Sequence, residues 1–203
     1  MNKELTTPIA SWAIATSVSP WLRATGVVVG GSALLAACAH VALPLWFTPV
    51  PLTMQPFAVL LLGLLLSPRL AAGTLAAYLA EGALGLPVFA PSPAVSGLAH
   101  LLGPTGGYLM AYPAAALLIS LLGRRGGRGF SMALASAALG DLAILLAGAL
   151  WLAALTHAAP RTALTLGVLP FLPGDALKVV AAAAVATGFR RLRPRTAKPH
   201  PNS

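Results

Sequence analysis

Apolar runs separated by short polar breaks dominate the chain, and their lengths are those of membrane-crossing helices. A helix needs about 20 apolar residues to cross the hydrocarbon core of a bilayer. The first run extends from Gly26 to Leu45 and ends at the loop Trp46-Phe47-Thr48-Pro49-Val50-Pro51. A shorter one, Thr53 to Leu66, stops at Ser67-Pro68-Arg69, and a third continues from Leu70 to Leu86. After a Pro- and Ser-rich loop from Pro87 to Pro104, further runs cover Thr105 to Leu122, Phe130 to Leu155 and Leu172 to Phe189. The pattern predicts an all-α integral membrane protein with six transmembrane helices.

Basic residues then orient these six spans. With the N-terminus inside, the inner segments hold 11 of the 13 lysines and arginines, among them Arg23, Arg69, Arg124, Arg125, Arg128 and the run Arg190-Arg191-Leu192-Arg193-Pro194-Arg195. Arg161 alone falls in an outer loop, and Lys178 falls inside the sixth span. Such asymmetry over short loops places both termini in the cytoplasm. It also keeps the short second run as a crossing, because a re-entrant segment there would break the alternation. Residues 1–22 read as a cytoplasmic lead-in, 23–190 as the six-helix membrane domain and 191–203 as a basic cytoplasmic tail.

Composition agrees with lipid as the main solvent. Of 203 residues, 58% are hydrophobic and 8% charged, with a mean hydropathy of +0.84, against about a quarter charged in a soluble domain. The net charge of +9 does not indicate nucleic acid, since the cations sit in clusters between apolar runs. One cysteine, Cys38, excludes an intrachain disulfide and a cysteine-based metal site, and no metal or cofactor is expected. Small residues recur along the first helix at spacings of four: Gly26 and Gly30, Ser32 and Ala36, Ala33 and Ala37. They serve either close packing within the molecule or a docking face for a partner membrane subunit.

Ionisable groups inside spans cost about 2.5–3.5 kcal/mol at a helix centre on insertion scales, so each needs a reason. Asp175 and Lys178 lie three apart at the outer start of the sixth helix, on one face. They form either a self-satisfying ion pair or a grip on a ligand, with Lys178 on an anionic group and Asp175 accepting hydrogen bonds. Glu81, late in the third span, either neutralises Lys178 or a loop group, contacts ligand, or is an interfacial carboxylate. Asp141, in the inner half of the fifth helix, reads as too distant from Asp175 to share a site; an inter-helix hydrogen bond or a partner contact accounts for it. Gln55 opens the second helix as a cap or as an uncharged ligand contact. Tyr108, at the start of the fourth, is an interfacial anchor or a stacking wall, and Gly107 permits close backbone approach there. Trp151 reads as an aromatic-belt residue. These polar positions gather at the outer helix ends, where a small-molecule pocket would open. Neither HExxH, GxSxG nor a Walker A motif is present, which argues against an enzyme and against ATP hydrolysis by this chain.

Four ordered stretches carry a family resemblance: Phe47-Thr48-Pro49-Val50-Pro51-Leu52-Thr53-Met54-Gln55, Glu81-Gly82-Ala83-Leu84-Gly85-Leu86-Pro87-Val88-Phe89-Ala90, Leu102-Gly103-Pro104-Thr105-Gly106-Gly107-Tyr108 and Pro173-Gly174-Asp175-Ala176-Leu177-Lys178. Over about Arg23 to Phe189 the chain resembles the biotin-specific substrate-capture subunits (BioY) of energy-coupling factor transporters. The resemblance implies a biotin pocket near the outer face of a prokaryotic cell membrane. It assigns Asp175 and Lys178 to the site's acid and lysine, and Gln55, Gly107 and Tyr108 to its lining. It also implies a transmembrane coupling subunit and two cytoplasmic ATPases as partners, docked through small residues such as Ala33 and Ala37. One departure stands out. Many relatives have a glycine-rich stretch, often with an arginine, after the Leu-Pro-Val-Phe segment, where this chain reads Pro91-Ser92-Pro93-Ala94-Val95-Ser96-Gly97, with no basic residue. The readings that compete are capture of another vitamin, an intramembrane enzyme, and a structural or assembly protein.

Overall fold

The computed structural model describes residues 19–92, 96–125 and 129–192. Most of the expected lead-in (1–18), Arg128, residues 93–95 of the long loop and the basic tail from 193 onward lie outside the described residues.

Proline sets many of the helix starts. Its missing N–H costs nothing in a first turn, where the donors have no partner within the helix. Pro sits at the first or second position of α1 (Pro20–His40), α2 (Gln55–Leu65), α3 (Pro68–Ala83) and α7 (Pro160–Gly167). The remaining helices are α4 (Leu98–Leu102), α5 (Gly106–Arg125), α6 (Phe130–Thr156) and α8 (Leu172–Leu192). The first apolar run was expected to stay helical to Leu45, but α1 stops at His40. Pro44 explains this, because its ring would strike the carbonyl one turn earlier. The chain instead forms a short antiparallel ribbon, β1 (Ala42–Leu43) against β2 (Leu52–Thr53), with Ala42 opposite Thr53. The short helices α4 and α7 likewise occupy stretches that read as loops.

Among the described residues, four helices, α1, α5, α6 and α8, are long and apolar enough to cross a membrane; α2 is apolar but has 11 residues. Their outer surfaces are hydrophobic, with Leu150, Leu177, Leu139, Leu142, Val180 and Val185 exposed. In water such a surface would drive aggregation; facing lipid it is at equilibrium with its solvent.

Helix α5 is the central post. It packs against α2, α3 and α6. At one end of the bundle Leu60, Leu64, Ile119, Ala133, Ala137, Ala182 and Ala186 form a tight cluster of α2, α5, α6 and α8. The same end carries Arg23, Arg69, Arg124, Arg125, Arg190 and Arg191. The last carbonyls of α2 would be orphaned there. Ser120 Oγ donates to the Leu66 carbonyl at 2.7 Å, and the Arg190 guanidinium donates to that of Leu64. At the opposite end the helices splay around a cavity.

On α1 only a narrow stripe, Gly31, Ser32, Leu35 and Ala39, is buried. A side chain on Gly31 would meet Thr74 of α3 at 2.5 Å, whereas nothing lies within 4 Å of Gly26 or Gly30. Ala33 and Ala37 are exposed. Close packing inside the molecule thus uses Gly31, Ser32 and Ala39, with Ala36 at the edge of the core, whereas Gly26, Gly30, Ala33 and Ala37 face outward.

A cavity between the helix starts of α2, α5 and α8

The non-basic end of the bundle encloses about 530 Å³ of space, open mouth included, lined by Gln55, Tyr108, Tyr112, Phe171, Asp175 and Lys178 among others. Several neighbours of α5 bring these residues together. Gly148 on α6 lets Tyr108 seat against the helix backbone, for an added Cβ would lie 2.2 Å from the ring. The Tyr108 hydroxyl donates to the Gly167 carbonyl at 2.6 Å, and the ring lies 6.2 Å from that of Phe171. Tyr108 therefore ties α5 to α6, α7 and the start of α8.

The Asp175–Lys178 pair is the main polar feature. Its exposure is 2% for Asp175 and 6% for Lys178, and the ammonium donates to Asp175 Oδ1 at 2.7 Å. The three-residue spacing on α8 creates the contact. Asp175 in the first turn also faces the positive end of the helix dipole. Burying two charges is tolerable only because they compensate one another. Across the cavity, Gln55 Nε2 donates to the Tyr78 hydroxyl at 2.8 Å, which donates in turn to the Val88 carbonyl at 2.8 Å. Thr53 Oγ1 donates to Gln55 Oε1 at 3.1 Å. These contacts fix the amide and anchor the Val88 segment to α2 and α3.

Two of the six expected lining residues lie elsewhere. Glu81 accepts a hydrogen bond from Ser32 Oγ and so joins α3 to α1. Tyr78 lies on the buried face of α3 with Ala71, Thr74, Leu75 and Gly82, and a residue three further along than Tyr78 points about 60° away. Gly107 lies at the α5–α6 contact, where a Cβ would meet Trp151 Cβ at 2.2 Å. Trp151, in place of a purely interfacial role, donates its indole N–H to the Gly103 carbonyl at 2.9 Å.

Asp141 sits closer to the site than its sequence position suggests. It is 6% exposed, lies one turn from the lining residues Ile144 and Leu145, and is within electrostatic range of Asp175 and Lys178. Helix α6 runs on to Thr156, past Gly148 where Tyr108 seats, and the end of α7 returns to Tyr108 through Gly167 before α8 begins at Leu172. The first turns of α8 thus meet the middle of α6, with Asp175 and Lys178 lining one cavity with Ile144 and Leu145. The inter-helix hydrogen bond expected of Asp141 is not formed by Oδ1, which has no partner among the described residues. An unmet buried carboxylate oxygen costs about 1–3 kcal/mol or more. Asp141→Leu, which removes both carboxyl oxygens at similar volume, should therefore raise the thermal unfolding midpoint in detergent; a drop of several degrees would show that the carboxylate supports the fold.

Tyr112, Phe171, Thr53 and His100 also line the cavity and were not singled out from sequence. Tyr112 was legible in principle, since it lies one helical turn after Tyr108. His100, on the short helix α4, had no periodicity to mark it.

Comparison with known proteins agrees with this geometry. Residues 6–195 match the model of the BioY family. The chain belongs to the BioY family. It is 44% identical over 138 residues to a probable biotin transporter BioY of Pyrococcus horikoshii, spanning 68% of this chain and 79% of that protein. It is 36% identical over 161 residues to the biotin transporter BioY of Thermotoga maritima, spanning 79% of this chain and 92% of that one. Among solved structures it is similar to the S-component for biotin from an ECF-type ABC transporter, with a TM-score of 0.77 and 26% identity over 85% of this chain and 93% of the other.

Proposed function

We propose that this protein is the biotin-capture subunit of an ATP-driven vitamin uptake transporter. The observation that carries this reading is the likeness to a biotin S-component across 85% of the chain, with an Asp–Lys pair buried in the cavity. It is a binding and transport protein, not an enzyme. In BioY-type assembly it works with a transmembrane coupling subunit and two cytoplasmic ATPases, and the outward small residues Ala33 and Ala37 of α1 suit such docking.

Six crossings, α1, α2, α3, α5, α6 and α8, fit a cell-membrane protein with both termini in the cytoplasm. Helix α2 has 11 residues, about 16 Å at 1.5 Å each. It crosses because the ribbon before it and the Ser67-Pro68 turn after it complete the passage. The basic end of the bundle faces the cytoplasm, so the cavity opens outside.

Chemistry supports biotin as the ligand. Its ureido ring offers two N–H donors beside one carbonyl acceptor. Asp175 accepts from the N–H groups and Lys178 donates to the carbonyl, so a neutral head replaces part of the internal pairing. Gln55 and Tyr108 line the walls, and Leu109, Ile144, Leu145 and Phe171 cover the apolar parts. Equilibrium binding of labelled biotin to the detergent-purified protein tests the reading, with thiamine and riboflavin as competitors. Tight binding that excess unlabelled biotin alone displaces is expected. Failure of folded protein to bind biotin, or displacement by another vitamin, would overturn it.

Glu81 supplies a contrast. Glu81→Gln weakens the α1–α3 contact to Ser32 and lowers stability by about 1 kcal/mol, yet leaves the biotin Kd within about twofold. A calorimetric melt beside a binding isotherm separates the two effects.

A further inference from the structure

His100 stands where two cavities meet. It lines the Asp175–Lys178 cavity and also a second, wider cleft bounded by His40, Leu86, Pro87, Ser96 and Gly97. Its exposure is 6%. The ring lies against Phe89 with centroids 5.2 Å apart and planes inclined by 33°, and Phe89 meets Tyr78 edge-on at 5.5 Å. Through Tyr78, Gln55 and Val88 this aromatic row is anchored to α2 and α3, so the imidazole is held in place by packing.

Charge complementarity then divides the cavity. Asp175 and Lys178 sit side by side at 2.7 Å, which suits a neutral head carrying donors and an acceptor together. A carboxylate placed there would meet the like charge of Asp175. The acid end of the ligand belongs at the other rim, beside the second cleft, where His100 is the basic side chain common to both linings among the described residues, His40 lining the second cleft alone. No lysine or arginine lies between Phe89 and His100.

We propose that His100 recognises the carboxylate at the end of the ligand's aliphatic tail, its ring N–H donating to a carboxylate oxygen. It thereby sets a preference for the free acid over uncharged derivatives. This rests on the biotin reading above and goes beyond it by assigning the two ends of the ligand to two sides of the cavity.

The test compares Kd for biotin and for biotinamide, whose tail ends in an uncharged amide, using wild type, His100→Gln and His100→Lys. Wild type should favour biotin by about tenfold or more, the scale of one charge-assisted hydrogen bond. In His100→Gln the ratio should fall to near one through lost biotin affinity, with biotinamide binding little changed. His100→Lys should restore the preference. Lys178→Ala should weaken both ligands in parallel. His100→Asn stands in should the Gln variant fail to fold, and the wild-type ratio needs no variant. A wild type that binds both ligands equally, or a His100→Gln protein that keeps the wild-type ratio, overturns the assignment while leaving biotin capture standing. A folded wild type that binds neither ligand overturns both.

Discussion

Lys178→Ala should abolish tight biotin binding and destabilise the ligand-free protein, whereas Asp175→Asn combined with Lys178→Met should restore the fold without restoring binding. The pair is buried, with 2% and 6% exposure and a 2.7 Å contact. Removing the ammonium strands the Asp175 carboxylate in an apolar interior, a loss of about 3–5 kcal/mol. Neutralising both members removes the desolvation cost together with the attraction, which is commonly neutral or stabilising. Binding responds differently. The charge-assisted hydrogen bond to the ligand is worth about 1.5–3 kcal/mol, so either single change should raise Kd at least tenfold, and the double variant should not recover it. Thermal unfolding with and without biotin reads both quantities. Wild-type affinity in Lys178→Ala would remove the pair from the ligand's contacts. A double variant as unstable as the single one would show that the stranded charge is not the cause.

Gly107→Ala should be among the most damaging single-methyl changes, although the residue does not line the cavity. The new Cβ would lie 2.2 Å from Trp151 Cβ and 2.9 Å from the Ala147 carbonyl oxygen. Neither atom can swing aside, since one begins a side chain and the other belongs to the α6 backbone. Helix α5 would have to withdraw from α6, lengthening the Trp151–Gly103 hydrogen bond and unseating Tyr108 from Gly148. Overpacking of this kind costs about 1–3 kcal/mol and sometimes more. The thermal midpoint of ligand-free Gly107→Ala should fall by several degrees, with biotin affinity lost as a consequence. Gly30→Ala is the control, because nothing lies within 4 Å of that position, and it should melt with wild type. Equal midpoints for Gly107→Ala and wild type would refute the close α5–α6 contact.

These two predictions concern residues that the family motifs point to with equal force, yet for different reasons. Lys178 and Asp175 are tied by a local spacing on one helix. Gly107 matters through a helix more than forty residues away in sequence, and nothing within its own motif says which partner it meets.

The same division runs through the molecule. Hydrophobic run length and proline positions are local properties, and from them the helical membrane class and the main helices were legible before any coordinates. The Asp175–Lys178 contact was legible too, because three residues on a helix bring side chains to one face. Packing between helices carries no such signature. It turned Glu81 toward Ser32 of α1 and Gly107 toward Trp151, brought His100 of α4 to the cavity rim, and set the first turns of α8 against the middle of α6, so that Asp141 lies one turn from the cavity lining. Helix depth and rotation are fixed by contacts between residues distant along the chain, and a linear pattern records only which residues are apolar, not which helix each will face.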